Sequence, residues 1–170
     1  MDRLWAIWRM AYIEQPKEEG CLFCRVGGAE ADGENYVLWR GSSCFVMLNA
    51  FPYNTGHLLV SPYRHVGHLS EVTAEEAVEW IAATGRCKDI LRRVMRAEGF
   101  NVGLNVGLCA GAGVEGHLHF HIVPRWNGDT NFMPVLADHK VLPEGLKATY
   151  EKLIGEFRNL SLAEPDAGTP

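Results

Sequence analysis

Read only as apolar and polar positions, the chain changes period several times, and each change predicts an element. Residues 36–40 and 44–48 are short apolar-rich runs separated by Gly41-Ser42-Ser43, which predicts two strands joined as a hairpin. Residues 49–56 are turn-rich, and residues 57–61 form a third run stopped by Pro62. From Thr73 to Glu98 the period lengthens: Val78, Ile81, Ile90, Leu91, Val94 and Met95 recur at helical spacing. Thr73 followed by Glu76 makes a capping box, and Gly99 is the natural stop. Residues 100–106 predict a fourth strand. A loop over 107–116 with four glycines (Gly107, Gly111, Gly113 and Gly116) then leads into His117-Leu118-His119-Phe120-His121-Ile122-Val123-Pro124. In an extended chain this alternation sets His117, His119 and His121 on one face and Leu118, Phe120 and Ile122 on the other, with Pro124 closing the fifth strand. Residues 126–129 read as a turn and 143–158 as a second helix. Antiparallel strands interrupted by one long helix specify an α+β domain with the helix on one sheet face.

Length and composition narrow the class. At 170 residues with 47% hydrophobic content, the chain suits one domain with one sizeable core, expected over 1–160. Residues 4–13 carry Leu4, Trp5, Ile7, Trp8, Met10, Tyr12 and Ile13, so the 1–20 arm is expected to pack on the domain or on a second subunit. Residues 161–170 are small and polar, an expected disordered tail. A net charge of −5 argues against wrapping of nucleic acid, which needs a basic surface. No stretch reaches membrane-spanning length, and the apolar run near the start is broken by Arg9. A cytoplasmic protein is expected. Its five cysteines, Cys21, Cys24, Cys44, Cys87 and Cys109, are odd in number and irregularly spaced, unlike a secreted disulfide framework.

The histidine strand admits two chemistries beyond a purely structural role. Neutral imidazoles can hold a metal, with His-x-His as a half-site, or they can act on an anion, one as nucleophile and its neighbours as donors. Phosphoryl or nucleotidyl transfer suits the second. Imidazole attacks phosphorus without the repulsion a charged nucleophile meets, and the phosphoramidate it forms can be discharged by a second acceptor. The Gly-rich loop just before the strand can offer main-chain N–H groups to phosphate oxygens.

Residues 117–123 match His-φ-His-φ-His-φ-φ, with φ apolar, and resemble the signature of the histidine-triad (HIT) superfamily of nucleotide hydrolases and transferases. The resemblance extends over about 120 residues through Cys21-Leu22-Phe23-Cys24, residues 49–65, Asn105 and residues 124–132, most like a bacterial branch related to diadenosine tetraphosphate phosphorylases and hydrolases. It implies an antiparallel five-stranded sheet with one long and one C-terminal helix, continuous across a homodimer. It implies that His119 attacks the α-phosphorus, that His121 contacts the phosphate and assists the leaving group, that His117 orients His119, and that His57 completes a tetrad. Asn49 would hold the ribose, Phe23 and Leu48 would lie near the base, Asn105 near the phosphates, and Trp126 beside the triad. Gly113 stands where several relatives have Ser or Thr, leaving only a main-chain donor.

The same resemblance implies a structural zinc on Cys21, Cys24, His65 and His117, a Cys₂His₂ set, and no organic cofactor. Expected substrates are adenine nucleotides, with neither nucleic acid nor membrane as partner. The alternatives are an adenosine phosphoramidase, an enzyme using a zinc held by the histidines, and a nucleotide-binding adaptor with little turnover.

Overall fold

A computed structural model describes residues 20–131 and 141–162. The expectations for the N-terminal arm fall largely, and those for the tail almost wholly, outside the described residues. The element order is α1 (Leu22–Gly28), β1 (Val37–Arg40), β2 (Cys44–Leu48), β3 (Leu58–Pro62), α2 (Ala74–Met95), β4 (Gly99–Leu104), β5 (Phe120–Arg125) and α3 (Leu146–Phe157). The strands form one antiparallel sheet in the order β1-β2-β3-β5-β4. The expected α+β architecture, with five strands, a long helix and a C-terminal helix, is present.

The sheet has a core on each face. On one face Cys44, Val46, Leu48, Leu58, Val60, Leu118 and Ile122 pack against Trp80, Ala83, Cys87 and Leu91 of α2 and Leu153 and Phe157 of α3. Phe23, Val26, Val37, Phe45, Met47 and Leu59 form a smaller cluster on the other. Alternate residues of β2 thus serve different cores, and the whole strand is buried. Trp80 ties α2 to the sheet by donating its indole N–H to the Val60 carbonyl at 2.8 Å, and its ring meets Phe120 edge-on at 4.6 Å.

Helix α2 begins as expected: the Thr73 hydroxyl accepts from the Glu76 amide, and the Glu76 carboxylate accepts from the Thr73 amide. It ends at Met95 rather than Glu98. Arg96 takes the left-handed conformation that glycine was expected to supply, at φ 54°, and Gly99 instead opens β4. Helix α1, absent from the expected elements, is only seven residues long and starts at Cys21 with no side-chain cap. Its far end is fixed by Arg40. That guanidinium donates to the carbonyls of Val26, Gly27 and Ala29 and to the Asp32 carboxylate, at 2.7–3.0 Å.

Strand β5 also differs from expectation. Pro124 does not close it: Pro124 pairs with Phe100 and Arg125 with Gly99. The β3 ladder stops at the Leu58–Ile122 pair, and beyond it the Pro124 carbonyl accepts from the Asn54 side-chain amide at 3.0 Å. The nitrogen of a strand residue points to the same side as its carbonyl, so no ladder bond is lost by having proline there. His117, at a bend, and His119 lie in a lead-in before the ladder begins. There the Leu118 amide donates to the Val66 carbonyl at 2.8 Å and the Leu118 carbonyl accepts from the Ser61 hydroxyl at 3.3 Å. The alternation of faces survives: Leu118 and Ile122 are buried toward the helices and Phe120 packs against that same core, while His117 and His119 contact Phe23 on the other face.

Candidate functional site

Three imidazoles converge where β3 meets β5. His57, just before β3, is fully buried, and its Nδ1 accepts the main-chain N–H of Tyr53 at 3.0 Å. The Asn49 side-chain Nδ2 lies 3.3 Å from the same atom. With Nδ1 an acceptor, neutral His57 carries its proton on Nε2, which donates to His121 Nδ1 at 3.0 Å. Neutral His121 therefore carries its own proton on Nε2, where it stands 3.5 Å from Asn105 Nδ2, a second donor. His119 is held the opposite way. Its Nδ1–H donates to the carbonyl of His117 at 2.9 Å, so Nε2 keeps a bare lone pair. The site thus presents one nitrogen lone pair beside one N–H donor.

Burial keeps these rings neutral. Desolvation first, then the neighbouring imidazoles His121 and His119, push the His57 pKa down to about 3. His121 falls to about 4 through burial and the nearness of His119. His119 is lowered by burial, opposed by its bond to the His117 carbonyl. A neutral imidazole is the form in which a histidine can act as a nucleophile.

The loop carrying His57 is built by its own polar groups. The Asn49 amide donates to the His57 carbonyl, and Asn49 Oδ1 accepts from the Phe51 amide, each at 2.9 Å. Asn54 is buried and donates from Nδ2 to both Pro124 and Asp129 Oδ2. Gly56 at φ +78° passes so close to α2 that a Cβ would lie 2.7 Å from Met95 Sδ. Asn49 thereby fixes the loop and His57, and a ribose hydroxyl would be left its second Nδ2–H and the remaining lone pair of Oδ1. The roles of the Tyr53 amide and of Asn54 were not foreseen; the turn-rich 49–56 stretch was their only trace in the sequence.

Four other expected residues divide. Phe23 meets the site, its ring 4.5 Å from that of His119. Leu48 does not: it is buried in the core on the α2 face, while its neighbour Met47 shares the Phe23 cluster. Trp126 is not beside the triad either. It follows β5, about 16 Å of strand beyond His121, and donates its indole N–H to the Met95 carbonyl at the end of α2. Gly113 has open space where a side chain would stand, so packing does not require glycine there.

Cys21, Cys24, His65 and His117 form a second cluster, their ligand atoms all within 4.8 Å of one another. His117 is oriented for ligation: Nε2–H donates to the Pro62 carbonyl at 2.9 Å, which leaves Nδ1 bare and facing Cys21 Sγ at 3.2 Å and Cys24 Sγ at 3.5 Å. His65 Nδ1 lies 3.2 Å from Cys24 Sγ. Tetrahedral zinc with ordinary Zn–S and Zn–N bonds needs ligand-to-ligand edges of about 3.3–3.8 Å. The donor set is one that zinc takes, and its spacings, from 3.2 Å to at most 4.8 Å, bracket those edges. Gly116 allows the close fit, since a Cβ would sit 3.3 Å from the His65 ring.

Residues 32–128 match the HIT domain. Over 165 residues the chain is 38% identical to the "AP-4-A phosphorylase" of Mycobacterium tuberculosis, covering 92% of this chain and 85% of that protein. It is 31% identical over 93 residues to the "Bis(5'-nucleosyl)-tetraphosphatase [asymmetrical]" of Schizosaccharomyces pombe, covering 55% of this chain and 50% of that one. Among solved structures, a Zn-bound histidine triad family protein from Mycobacterium smegmatis superposes with TM-score 0.67 at 25% identity, covering 85% of this chain and 98% of that chain. The imidazole row, the fold and these likenesses agree: the chain belongs to the histidine-triad (HIT) family.

Proposed function

We propose that this protein cleaves dinucleoside polyphosphates of the diadenosine tetraphosphate type at the α-phosphorus, through a nucleotidyl-histidine intermediate on His119. One observation carries the reading: His119 Nδ1–H is bound to the His117 carbonyl, so the nitrogen with a free lone pair is Nε2, on a ring whose centroid lies 4.9 Å from that of His121, which carries its proton on Nε2. Attack forms an N–P bond as the P–O bond to the departing nucleoside polyphosphate breaks. His121 donates its hydrogen bond to the phosphate, or to the oxygen that leaves, and His57 maintains that donor. Asn105 and the main-chain amides of the 107–116 loop complete the anion site. The Phe23 ring, beside His119, forms a wall for the base of the transferred nucleotide.

The likeness to the phosphorylase favours inorganic phosphate as the acceptor that discharges the intermediate, giving ADP. The partial likeness to the tetraphosphatase supports water as the second reading, giving AMP. Incubation with diadenosine tetraphosphate, with and without phosphate, separates them: ADP with ATP marks the phosphorylase, AMP with ATP the hydrolase. Loss of both activities in every condition overturns the reading and leaves the phosphoramidase and adaptor alternatives.

Zinc is the ion the second cluster would hold, on Cys21, Cys24, His65 and His117, and when bound it would cross-link α1 to the lead-in of β5. His117 then acts on His119 through its own carbonyl and the position of the chain. We also infer a homodimer with the sheet continuing through β4, an edge strand whose Asn101, Val102 and Gly103 are exposed. Light scattering tests it, and a monomeric mass contradicts it.

A further inference from the structure

The two imidazoles at the reacting centre stand in a row of four rings with an aromatic side chain at each end. Phe23 lies 4.5 Å from His119, His119 lies 4.9 Å from His121, and Tyr53 lies 5.6 Å from His121 with the two planes only 18° apart. Tyr53 also tilts against His57 at 4.7 Å. The ends differ in exposure: Phe23 is 1% exposed and Tyr53 is 53% exposed.

An exposed aromatic ring needs no explanation when it stands alone on a surface. Tyr53 does not stand alone. The backbone beneath it is fixed by the bond from its own amide to His57 Nδ1 and by the Asn49 and Asn54 bonds to the same loop. One side of the ring covers the imidazoles and the rest is left to solvent, at the mouth of the site. A rigid ring with one side occupied and the other open is suited to stacking a flat heterocycle at low entropic cost.

Resting on the proposed cleavage of dinucleoside polyphosphates, we propose that Tyr53 is the stacking platform for the second nucleoside, the one that departs with the polyphosphate chain. A substrate with a base at each end meets an enclosed wall at Phe23 and an open one at Tyr53, with the phosphates crossing the imidazoles between them. The open end suits a group that must leave, and it makes Tyr53 a specificity-determining residue for two-ended substrates over nucleotides with one base.

The test compares diadenosine tetraphosphate with adenosine 5′-tetraphosphate, which keeps the phosphate chain and one nucleoside and lacks the second. The ratio of kcat/KM for these two substrates is measured in the wild type, Tyr53→Ala and Tyr53→Trp. Loss of one base stack lowers the ratio about 5- to 100-fold in Tyr53→Ala, and Tyr53→Trp restores it. If Tyr53 serves only to hold His57 and His121, both substrates lose rate in proportion and the ratio does not move, which overturns the proposal. If the wild type turns over neither substrate, the proposed activity falls first and the platform with it.

Discussion

The main-chain N–H of Tyr53 donates to His57 Nδ1 across 3.0 Å, and this one bond determines where the protons of two imidazoles sit. It forces the His57 proton onto Nε2, which occupies His121 Nδ1 at 3.0 Å and leaves His121 with an outward Nε2–H. A loop amide thus sets the N–H that His121 offers, through a fully buried histidine.

Replacing His57 with alanine removes the donor to His121 Nδ1 and lets that proton settle on either nitrogen. The expected result is a fall of about 10²-fold in kcat with a much smaller change in KM. Steady-state kinetics on diadenosine tetraphosphate checks it. A variant that raised KM and spared kcat would assign His57 to binding instead.

The same buried imidazoles make stability depend on pH. His57 and His121 have native pKa values of about 3 and about 4, against an ordinary value of 6.5. Between those limits the unfolded chain takes up protons that the native state refuses, so stability rises with pH. The contribution is fully present above pH 6.5 and is lost progressively as pH falls toward the native values. Urea midpoints at pH 7.5, 6.5, 5.5 and 5 sample this window mostly above the carboxylates. The decline should be shallower in His57→Gln, which has one buried imidazole fewer; an equal decline would show that His57 is not the source.

How much of this was legible in the sequence follows from how each residue is used. The triad faces were legible because polar and apolar side chains alternate at period two from His117 to Ile122, and the start of α2 because Thr73 and Glu76 are a local pair. The face of Leu48 was not, because every residue of β2 is buried and no polar alternation marks its sides. Helix α1 escaped because seven residues with two glycines and no capping side chain carry little local signal; a distant arginine holds it. Pro124 misled because its tolerance depends on where β3 stops, which only the assembled sheet decides.

That distant arginine gives a further prediction. Arg40 satisfies three carbonyls at the end of α1 and stacks over the Phe45 ring at 5.9 Å. Arg40→Ala should destabilise the fold by about 2 kcal/mol, after allowance for its partial exposure. Arg40→Lys should recover little, since a single ammonium cannot serve a fork of acceptors. Chemical denaturation measures both, and full recovery by lysine would mean that charge alone suffices.

The metal cluster predicts about one zinc per chain in protein purified without chelator, measured by elemental analysis. Cys24→Ser should lose the metal, and chelation should lower the thermal midpoint by several degrees as α1 loses its link to the β5 lead-in. Purified protein that is metal-free, and no more stable when zinc is added, would count against the site.

The most direct measurement is mass spectrometry of the intact protein quenched at neutral or alkaline pH during turnover of diadenosine tetraphosphate, with peptide mapping of any adduct. The predicted result is one adenylyl group per chain, attached to His119 and absent from a folded His119→Ala variant that has lost turnover. Turnover that persists in His119→Ala, or an adduct mapped to another residue, would contradict the assignment of His119 Nε2 as the nucleophile.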